Sequence, residues 1–443
     1  MSGTTLANKL HRVAPQAEIL TGASDLSAFA LDGIQPQAAA LPGTVEDVAA
    51  IVKFAAEQHL AVLPCGGGTE LGLGQPPLRY DLALCTARLN ALLEHEAADL
   101  TCSAQAGITL ADLQQRLTAK GQFLALDPPN AQRATIGGIL AANSSGPGRL
   151  RYGAARDLVI GLKVVLGDGT IARSGGKVVK NVAGYDLNKL YVGSLGTLGV
   201  IVEANFKLLP LPEREETLLI GFDNAEAAMQ YVVALLSGVV TPNALELLDH
   251  ATQQQLAQSL QSALPGAPYL LAVSFSGGGK AVERQMSDTR ATASRAGGAP
   301  GARLEAEAQQ AFWEGVRAQQ TAPLTCKVSL LIQDVAPFLK SAQVICEEQH
   351  LEASALAHAG SGLVYLHMRP TDAAERLAEA IGLLRAWAVN HKGTLVIARA
   401  PTDLKKRVSV WGDTRAEQRL MQLLKHQFDP QGALAAGRFL GGI

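Results

Sequence analysis

The sequence predicts an α+β fold with two main domains. Its 443 residues, at roughly 150 per domain, allow two or three domains, and its 48% hydrophobic content is enough for a sizeable core. Between residues 36 and 210 short strands mix with a few helices and do not repeat as regular β–α–β units. The composition then changes after Pro212. We therefore expect one domain before this point and a second one after it.

The first half of the chain has well-marked elements. A short helical lead covers residues 1–35, and a helix begins at Thr44, where Thr44 and Asp47 match a capping box. A second helix over 109–120 is closed by Gly121. Apolar patterns typical of strands occupy residues 61–64, 81–86, 100–107, 157–166 and 199–210, and residues 170–173 return antiparallel after a tight turn.

The second half of the chain is less regular. Residues 217–275 and 325–370 resemble strand–helix–strand material, and 371–443 is mostly helical. The polar, Gly/Ala-rich stretch 276–309 between them predicts a mobile linker.

Charge and cysteine content argue against several classes of protein. With 38 basic and 40 acidic side chains, nothing indicates a nucleic-acid partner or an anionic membrane surface. Five cysteines without CxxC spacing indicate neither a disulfide framework nor a zinc or iron–sulfur site. Free thiols suit the cytoplasm. No apolar run resembles a signal peptide or a membrane span, so we expect membrane association only through a partner.

A glycine cluster after a predicted strand is the first candidate site. In LPCGGGTELGLG, Leu63 to Gly74, consecutive glycines let backbone N–H groups converge on an anion such as a diphosphate. The alternative is a plain loop, because the pattern is not the GxGxxG of dinucleotide-binding proteins.

Two further glycine-rich segments follow. Thr135 to Gly138 opens an apolar helical turn, which is a second place for an anion, and Asn143 to Gly146 adds donors. The third segment, Gly175 to Ile201, includes Lys180-Asn181 and the string GTLG. Each segment alone is compatible with a turn. Together they predict a large phosphorylated cofactor.

The strings CGGGTELG, DPP…ATIGG and VVKNVAGYDLNKLYVGSLGTLGVI resemble the FAD-binding domain of the vanillyl-alcohol oxidase / p-cresol methylhydroxylase superfamily. Within it they are most similar to the flavin subunits of bacterial glycolate oxidases, in particular the smaller one. The resemblance implies an FAD-binding domain at 36–211 after the lead of 1–35. It also implies an α+β cap domain at 212–390 and a C-terminal segment at 391–443 that packs on the FAD domain.

The resemblance also implies FAD as the cofactor. Thr69 occupies the position where some relatives carry a histidine linked to the flavin, so non-covalent FAD is expected. Whether Cys65 is reactive stays open, and a small residue that fits the loop is the simpler explanation. The implied contacts are Cys65, Gly66, Gly67, Gly68, Thr69, Glu70, Pro128, Thr135, Ile136, Gly137, Gly138, Asn143, Ser145, Gly146, Gly199, Val200 and Ile201.

The C-terminal string HQFDPQGALAAGRFLGGI resembles the family's closing FDPxGxxNPGRF. Ala435 and Ala436 replace the usual Asn-Pro. Arg438 either meets an anionic substrate or has a structural ion pair, and we favour the structural role.

Metal-dependent relatives carry HxGDGNxH and a later Glu-His-Gly, which hold a divalent metal. In the corresponding HAGSGLVYLH, Ser361 and Leu363 replace Asp and Asn, and Tyr365 stands at the second histidine. Ala398-Arg399-Ala400 replaces Glu-His-Gly, so no metal is expected. His358 and Tyr365 are then either a catalytic base and a hydrogen-bond donor or remnants of an ancestral strand, while His367 is the commoner kind of satisfied histidine.

The implied function is FAD-dependent oxidation of a small 2-hydroxy acid, glycolate or D-lactate. The expected partners are a larger paralogous flavin subunit and an iron–sulfur subunit that takes the electrons. Two alternatives stay open: a self-sufficient flavin dehydrogenase of another hydroxy acid or alcohol, and a structural FAD-binding subunit without turnover.

Overall fold

The computed structural model describes residues 3–177, 184–369, 371–413 and 416–443, so the predicted Lys180-Asn181 segment lies outside the described residues. The chain is α+β, as predicted. It divides into two compact units. The first consists of Met1–Ser145, Ala154–Leu211 and Asp413–Ile443, and the second of Gly146–Gly153 and Pro212–Gly412.

The helices, in chain order, are α1 Gly3–Val13, α2 Ala23–Ser27, α3 Val45–Glu57, α4 Leu110–Thr118, α5 Ile136–Ala142, α6 Arg149–Tyr152, α7 Ala155–Leu158, α8 Asn188–Tyr191, α9 Ala225–Leu236, α10 His250–Leu260, α11 Gly279–Arg295, α12 Ala306–Gln319, α13 Val335–Glu348, α14 Ala374–Asn390, α15 Thr402–Arg407 and α16 Gln418–Phe428. Short 3₁₀ turns lie at Thr86–Arg88, Ile332–Asp334, Ala359–Ser361 and Leu440–Gly442.

The strands are β1 Glu18–Leu20, β2 Ala38–Leu41, β3 Val62–Cys65, β4 Leu82–Cys85, β5 Leu92–Glu96, β6 Thr101–Gln105, β7 Gln122–Phe123, β8 Val159–Val165, β9 Ile171–Gly175, β10 Val200–Lys207, β11 Leu209–Pro210, β12 Arg214–Phe222, β13 Ala244–Asp249, β14 Tyr269–Gly277, β15 Ala299–Glu305, β16 Thr325–Ser329, β17 Ala353–His358, β18 Leu363–Met368 and β19 Thr394–Arg399.

The first unit contains two main sheets. One has the order β1-β2-β4-β3, with β2, β4 and β3 parallel, and α3 connects β2 to β3 as a β–α–β crossover. The other, β5-β6-β10-β8-β9, is antiparallel.

Helix α3 begins at the position predicted from Thr44, because the Thr44 side chain accepts a hydrogen bond from the Asp47 N–H. The lead is not only helical, since β1 pairs with β2 through long-range hydrogen bonds that no local pattern signals.

An antiparallel sheet with strand order β15-β12-β14-β13-β17-β18-β16-β19 runs through the second unit. Helices α9, α11, α13 and α14 contribute buried side chains to its main hydrophobic core. In this order β13, β17, β18 and β16 are consecutive neighbours, so residues distant in sequence meet at the middle of the sheet.

The stretch 276–309 is not the linker predicted from its composition. It forms α11 and β15. Val282, Met286 and Ala293 follow helical spacing and are buried in the core, and β15 pairs with β12. The prediction was wrong because small and polar residues dilute this apolar stripe.

The predicted start of the C-terminal segment at residue 391 also differs from the structure. The division falls after Gly412, because β19 pairs with β16 and belongs to the second unit's sheet. Among the described residues, no helix has the length and apolar character needed to cross a membrane.

Candidate functional site

The three glycine-rich segments meet at one cavity in the first unit. The end of β3, helix α5 and the turn before β10 each supply part of its wall. The lining residues are Pro64, Cys65, Gly66, Thr86, Gly137, Gly138, Ala141, Leu195, Gly196, Gly199, Val200 and Ile201. The structure therefore brings together eight of the residues that the resemblance implies for FAD: Cys65, Gly66, Gly137, Gly138, Gly199, Val200, Ile201 and, through its contact with Gly66, Thr135.

The glycines after β3 allow a very close approach between two loops. A Cβ on Gly66 would lie 2.0 Å from Thr135 Oγ1, and one on Gly67 would lie 1.7 Å from the Arg133 carbonyl oxygen. Gly68 adopts a φ of +73°, which other residues rarely adopt. Within the described part of the chain, the N–H groups of Gly67 and Gly68 have no acceptor. These two groups are available to a phosphate.

Two buried polar atoms, each within two residues of a lining residue in sequence, also lack partners. Asn143 Oδ1 and Ser194 Oγ are buried, and neither has a hydrogen-bond partner among the described residues. The turn that carries Ser194 is fixed to α5, because the Gly193 and Leu195 N–H groups donate to the carbonyls of Leu140 and Ala141. Buried polar atoms are normally satisfied, so these atoms fit a polar ligand such as FAD.

The first backbone N–H groups of α5 already have acceptors, so they are not free to bind a ligand. The Ile136 N–H donates to the Ile108 carbonyl (3.0 Å) and the Gly137 N–H to the Ala106 carbonyl (2.7 Å). The Gly138 N–H lies 3.4 Å from its acceptor Thr135 Oγ1, which caps the helix. We therefore expect α5 to contact a ligand mainly through its small side chains.

The remaining residues implied for FAD do not line this cavity. Thr69 and Glu70 follow the glycines, and Glu70 Oε1 accepts a hydrogen bond from Ser144 Oγ at 3.5 Å. Pro128 and Ser145 are buried in the first unit. Gly146 is buried in the segment that belongs to the second unit.

Arg438 organises the loop that follows the glycine cluster. Its guanidinium donates to the carbonyl of Gln75 (2.7 Å), to that of Leu71 (2.5 Å) and to that of Leu73. It also lies 3.5 Å from Asp32, and the residue is 3% exposed. These contacts support the structural role over a role in binding substrate.

The C-terminal segment is joined to the cavity wall at two more points. The Ala435 N–H donates to the Val62 carbonyl, and the Val62 N–H donates to that of Ala433. Lys425 Nζ donates to the carbonyl of Thr197, in the turn before β10, at 2.9 Å.

The backbone of Ala435, which stands where the closing family string usually has Asn, has a φ of 47°. Asn adopts this left-handed conformation more readily than Ala.

A buried histidine–carboxylate pair lies at the middle of the second unit's sheet. His358 on β17 and Glu246 on β13 are directly opposite each other, and His358 Nδ1 lies at hydrogen-bond distance from Glu246 Oε1, 2.7 Å. They are 1% and 0% exposed. The Tyr365 ring on β18 lies 5.1 Å from the imidazole, and Lys327 Nζ on β16 lies 5.8 Å from the centre of the Tyr365 ring.

The predicted pair His358 and Tyr365 is thus close together, and Glu246 and Lys327 are additions that the motif analysis missed. The sequence signals that could have indicated them were a single Glu within the apolar strand string ALELLD and a single Lys within the strand string TCKVS. The glycines of the HAGSG string shape the β17–β18 turn. Gly362 has a φ of +66°, and a Cβ there would lie 2.2 Å from the Leu330 carbonyl oxygen.

Burial keeps the His358 imidazole neutral. Desolvation, with smaller contributions from the cations Lys327 and Arg149, lowers the pKa of His358 to about 3. A carboxylate can only accept, so an ionised Glu246 takes the Nδ1 hydrogen and leaves the lone pair on Nε2, which has no hydrogen-bond partner within the described residues. His367 differs, since its Nδ1 lies 3.0 Å from Thr325 Oγ1 and burial lowers its pKa to about 4. The described side chains include no cluster of three or more His, Cys, Asp or Glu suited to a metal.

Two protein families match the chain. The family described as FAD binding domain matches residues 36–175, and that described as FAD linked oxidases, C-terminal domain, matches residues 211–439. The cavity of the first unit and its unpaired polar atoms fit the cofactor that these families share.

Relatives and solved structures agree with this assignment. The chain is 31% identical to glycolate oxidase subunit GlcD of Bacillus subtilis, over 91% of this chain and 88% of that protein. It is 30% identical to D-2-hydroxyglutarate dehydrogenase of Xanthomonas citri pv. viticola, over 97% and 95%. Its fold matches p-cresol methylhydroxylase with a TM-score of 0.78 at 16% identity, covering 98% of this chain and 96% of the other.

Proposed function

The chain belongs to the FAD-linked oxidases and is an FAD-dependent oxidoreductase acting on CH–OH groups of 2-hydroxy acids, and we propose that its substrate is glycolate or D-lactate. We further propose that it works as the flavin subunit of a complex. The observation that carries the catalytic part is the buried His358–Glu246 pair, with two cations nearby.

In the proposed reaction His358 removes the hydroxyl proton. Oxidation of a 2-hydroxy acid requires this proton to leave while the hydrogen on carbon departs as hydride. Bound FAD supplies the hydride acceptor. Nε2 of the neutral imidazole has a lone pair to take the proton, and Glu246, bonded to Nδ1, stabilises the imidazolium that results. Tyr365, beside the imidazole, is the proposed hydrogen-bond donor.

The nearby cations suit an anionic substrate. Lys327 and Arg149 both contribute to the low pKa of His358, so the field of both cations reaches the imidazole. A substrate carboxylate placed by them would offset their charge and raise the pKa of His358. Substrate binding would thereby make His358 a stronger base at the moment it is needed.

The proposed FAD contacts are the cavity residues of the first unit. Gly67 and Gly68 would donate to the pyrophosphate, and Asn143 and Ser194 would bond the polar parts of the cofactor. Non-covalent binding remains a prediction from Thr69. The likeness to a glycolate oxidase subunit supports partner subunits. A larger flavin subunit and an iron–sulfur subunit are the proposed partners, and they would accept the electrons.

Anaerobic flavin spectroscopy tests the proposal. The purified chain, loaded with FAD, is mixed with glycolate, D-lactate or D-2-hydroxyglutarate, with acetate as the control that lacks a hydroxyl group. We expect absorbance at about 450 nm, typical of oxidised flavin, to fall with glycolate or D-lactate and not with acetate. If only D-2-hydroxyglutarate bleached the flavin, the substrate would be D-2-hydroxyglutarate and the proposal of glycolate or D-lactate would be wrong. No bleaching with any of them, even with partner subunits present, would favour a structural FAD-binding subunit.

Reoxidation tests the partners separately. After bleaching, we expect the colour to return much faster on adding the larger flavin and iron–sulfur subunits than on adding a soluble quinone. Equal rates would favour a self-sufficient dehydrogenase.

A further inference from the structure

Two cysteines lie side by side at the wall of the first unit's cavity. Cys65 at the end of β3 is directly opposite Cys85 at the end of β4 in the parallel pair, so the two thiols are neighbours on adjacent strands. Cys65 lines the cavity and is partly exposed, whereas Cys85 is buried and does not line it. Cys85 Sγ is also 3.7 Å from the carbonyl oxygen of Gly66.

The geometry of this pair suits a covalent bond between the sulfurs. Neighbouring strands lie about 4.8 Å apart, and a disulfide joins Cα atoms roughly 4.4–6.8 Å apart. Because the residues are paired in register, both side chains leave the sheet on the same face. A disulfide between Cys65 and Cys85 therefore needs little movement of the backbone.

One member of the pair also has a lower pKa than the buried cysteines elsewhere in the chain. The neighbouring Cys65 thiol, with a further contribution from the Ala87 N–H, lowers the pKa of Cys85 to about 7, while Cys85 and burial raise the pKa of Cys65. Burial instead raises the pKa of Cys102 and Cys326 to about 12 each. Cys85 is therefore the readier thiolate, and it can take the proton of Cys65 as that partly exposed thiol reacts.

We propose that Cys65 and Cys85 form a redox-sensitive dithiol, which a small disulfide entering the cavity oxidises to an intramolecular disulfide. The Cys65 thiolate attacks one sulfur of the small disulfide, forming a mixed disulfide and releasing one thiolate. The Cys85 thiolate then attacks the Cys65 sulfur and releases the second thiolate. Two electrons pass to the small disulfide, and the two thiol protons pass to solvent or to the released thiolates.

The position of the pair couples this chemistry to the cofactor. Cys65 stands between Pro64 and Gly66 in the cavity wall, so FAD in the proposed position would cover the sulfur that reacts first. FAD should therefore protect the dithiol. This part rests on the proposed location of FAD, whereas formation of the disulfide does not.

Oxidised glutathione is the probe for the test. FAD-free and FAD-loaded protein are incubated with it, the remaining thiols are alkylated, and peptides are analysed by mass spectrometry. We expect a linked Cys65–Cys85 peptide that dithiothreitol separates, formed at least tenfold more slowly with FAD bound. The Cys85→Ser variant should retain glutathione on Cys65, and Cys65→Ser should give no linked peptide.

Two results would overturn the proposal. One is wild-type protein in which glutathione stays on Cys65 or in which a thiol other than these two reacts first. The other is wild-type protein that gives no linked Cys65–Cys85 peptide with or without FAD, because the two sulfurs would then not reach each other. The mass readout needs no turnover, so its failure is distinct from a failure of the proposed oxidation.

Discussion

At the scale of single residues, the hydrogen bond between Glu246 and His358 defines the proposed base. The two residues are 112 positions apart in sequence, and only the pairing of β13 with β17 brings them together. Tyr365 and His358 were accessible to motif analysis because one hairpin carries both. Glu246 and Lys327 were not, because a cross-strand neighbour leaves no local pattern.

Replacing Glu246 by Gln should slow flavin reduction. The amide keeps the shape and an acceptor for Nδ1, but it removes the negative charge that stabilises the imidazolium. We expect a roughly 10- to 100-fold lower reduction rate, with little change in the substrate concentration at half-saturation. Stopped-flow absorbance measures both, and the exposed Glu226→Gln, in the same unit, is the matched control. Equal rates in wild type and Glu246→Gln would remove Glu246 from the mechanism.

The buried His367 should make stability depend on pH. Its folded-state pKa is about 4, below its ordinary value near 6.5, so between these values the unfolded chain binds the extra proton. The stability contribution is therefore complete above about pH 6.5 and is lost as the pH falls toward 4. At pH 5 the loss is about 2 kcal/mol.

The His367→Gln variant should accordingly show a flatter dependence of unfolding free energy on pH. Urea denaturation at several values between pH 7.5 and 5 measures it. The exposed His426→Gln controls for loss of a histidine and should keep the wild-type slope. An unchanged slope in His367→Gln would contradict a neutral His367 in the folded protein.

At the scale of elements, the close approach of the glycine loop to residues 133–135 should decide FAD binding. In Gly67→Ala the new Cβ would lie 1.7 Å from the Arg133 carbonyl oxygen, so the loop must move. We expect at least a 100-fold weaker affinity for FAD, measured by flavin fluorescence on titration.

Gly72→Ala is the matched control for this change. A Cβ there meets nothing within 4 Å, and the residue lies a few positions along the same loop. Circular dichroism would show that both variants are folded. If Gly67→Ala bound FAD as tightly as Gly72→Ala, the cavity of the first unit would not be the FAD site.

Elements with strong local signals were predicted well from the sequence. Helix α3 has its Thr44 cap, and Gly121, with a φ of +69°, follows α4 as expected for a helix end. β1 was missed because three residues paired to β2 carry too little pattern. α11 and β15 were missed because their Gly/Ala-rich composition resembles a linker, although their apolar positions are buried by the rest of the unit.

At the scale of the whole molecule, the chain passes between its two units more than once. It leaves the first unit at Gly146, returns at Ala154, leaves again at Pro212 and returns at Asp413. The composition change at Pro212 revealed one of these points. The return at Asp413 was placed too early, since the membership of β19 depends on strands far away in sequence. The three glycine segments were predicted to share one ligand because all three are suited to the same chemistry.

The most direct test of the whole account is the rate at which a 2-hydroxy acid reduces the bound flavin in wild type and in His358→Gln. Both proteins, loaded with equal FAD, are mixed anaerobically with glycolate or D-lactate at pH 7, and the exposed His391→Gln serves as the control. We expect bleaching in wild type and in the control, and a rate at least 100-fold lower in His358→Gln, in line with the loss of a general base. Bleaching of His358→Gln at the wild-type rate would contradict the account.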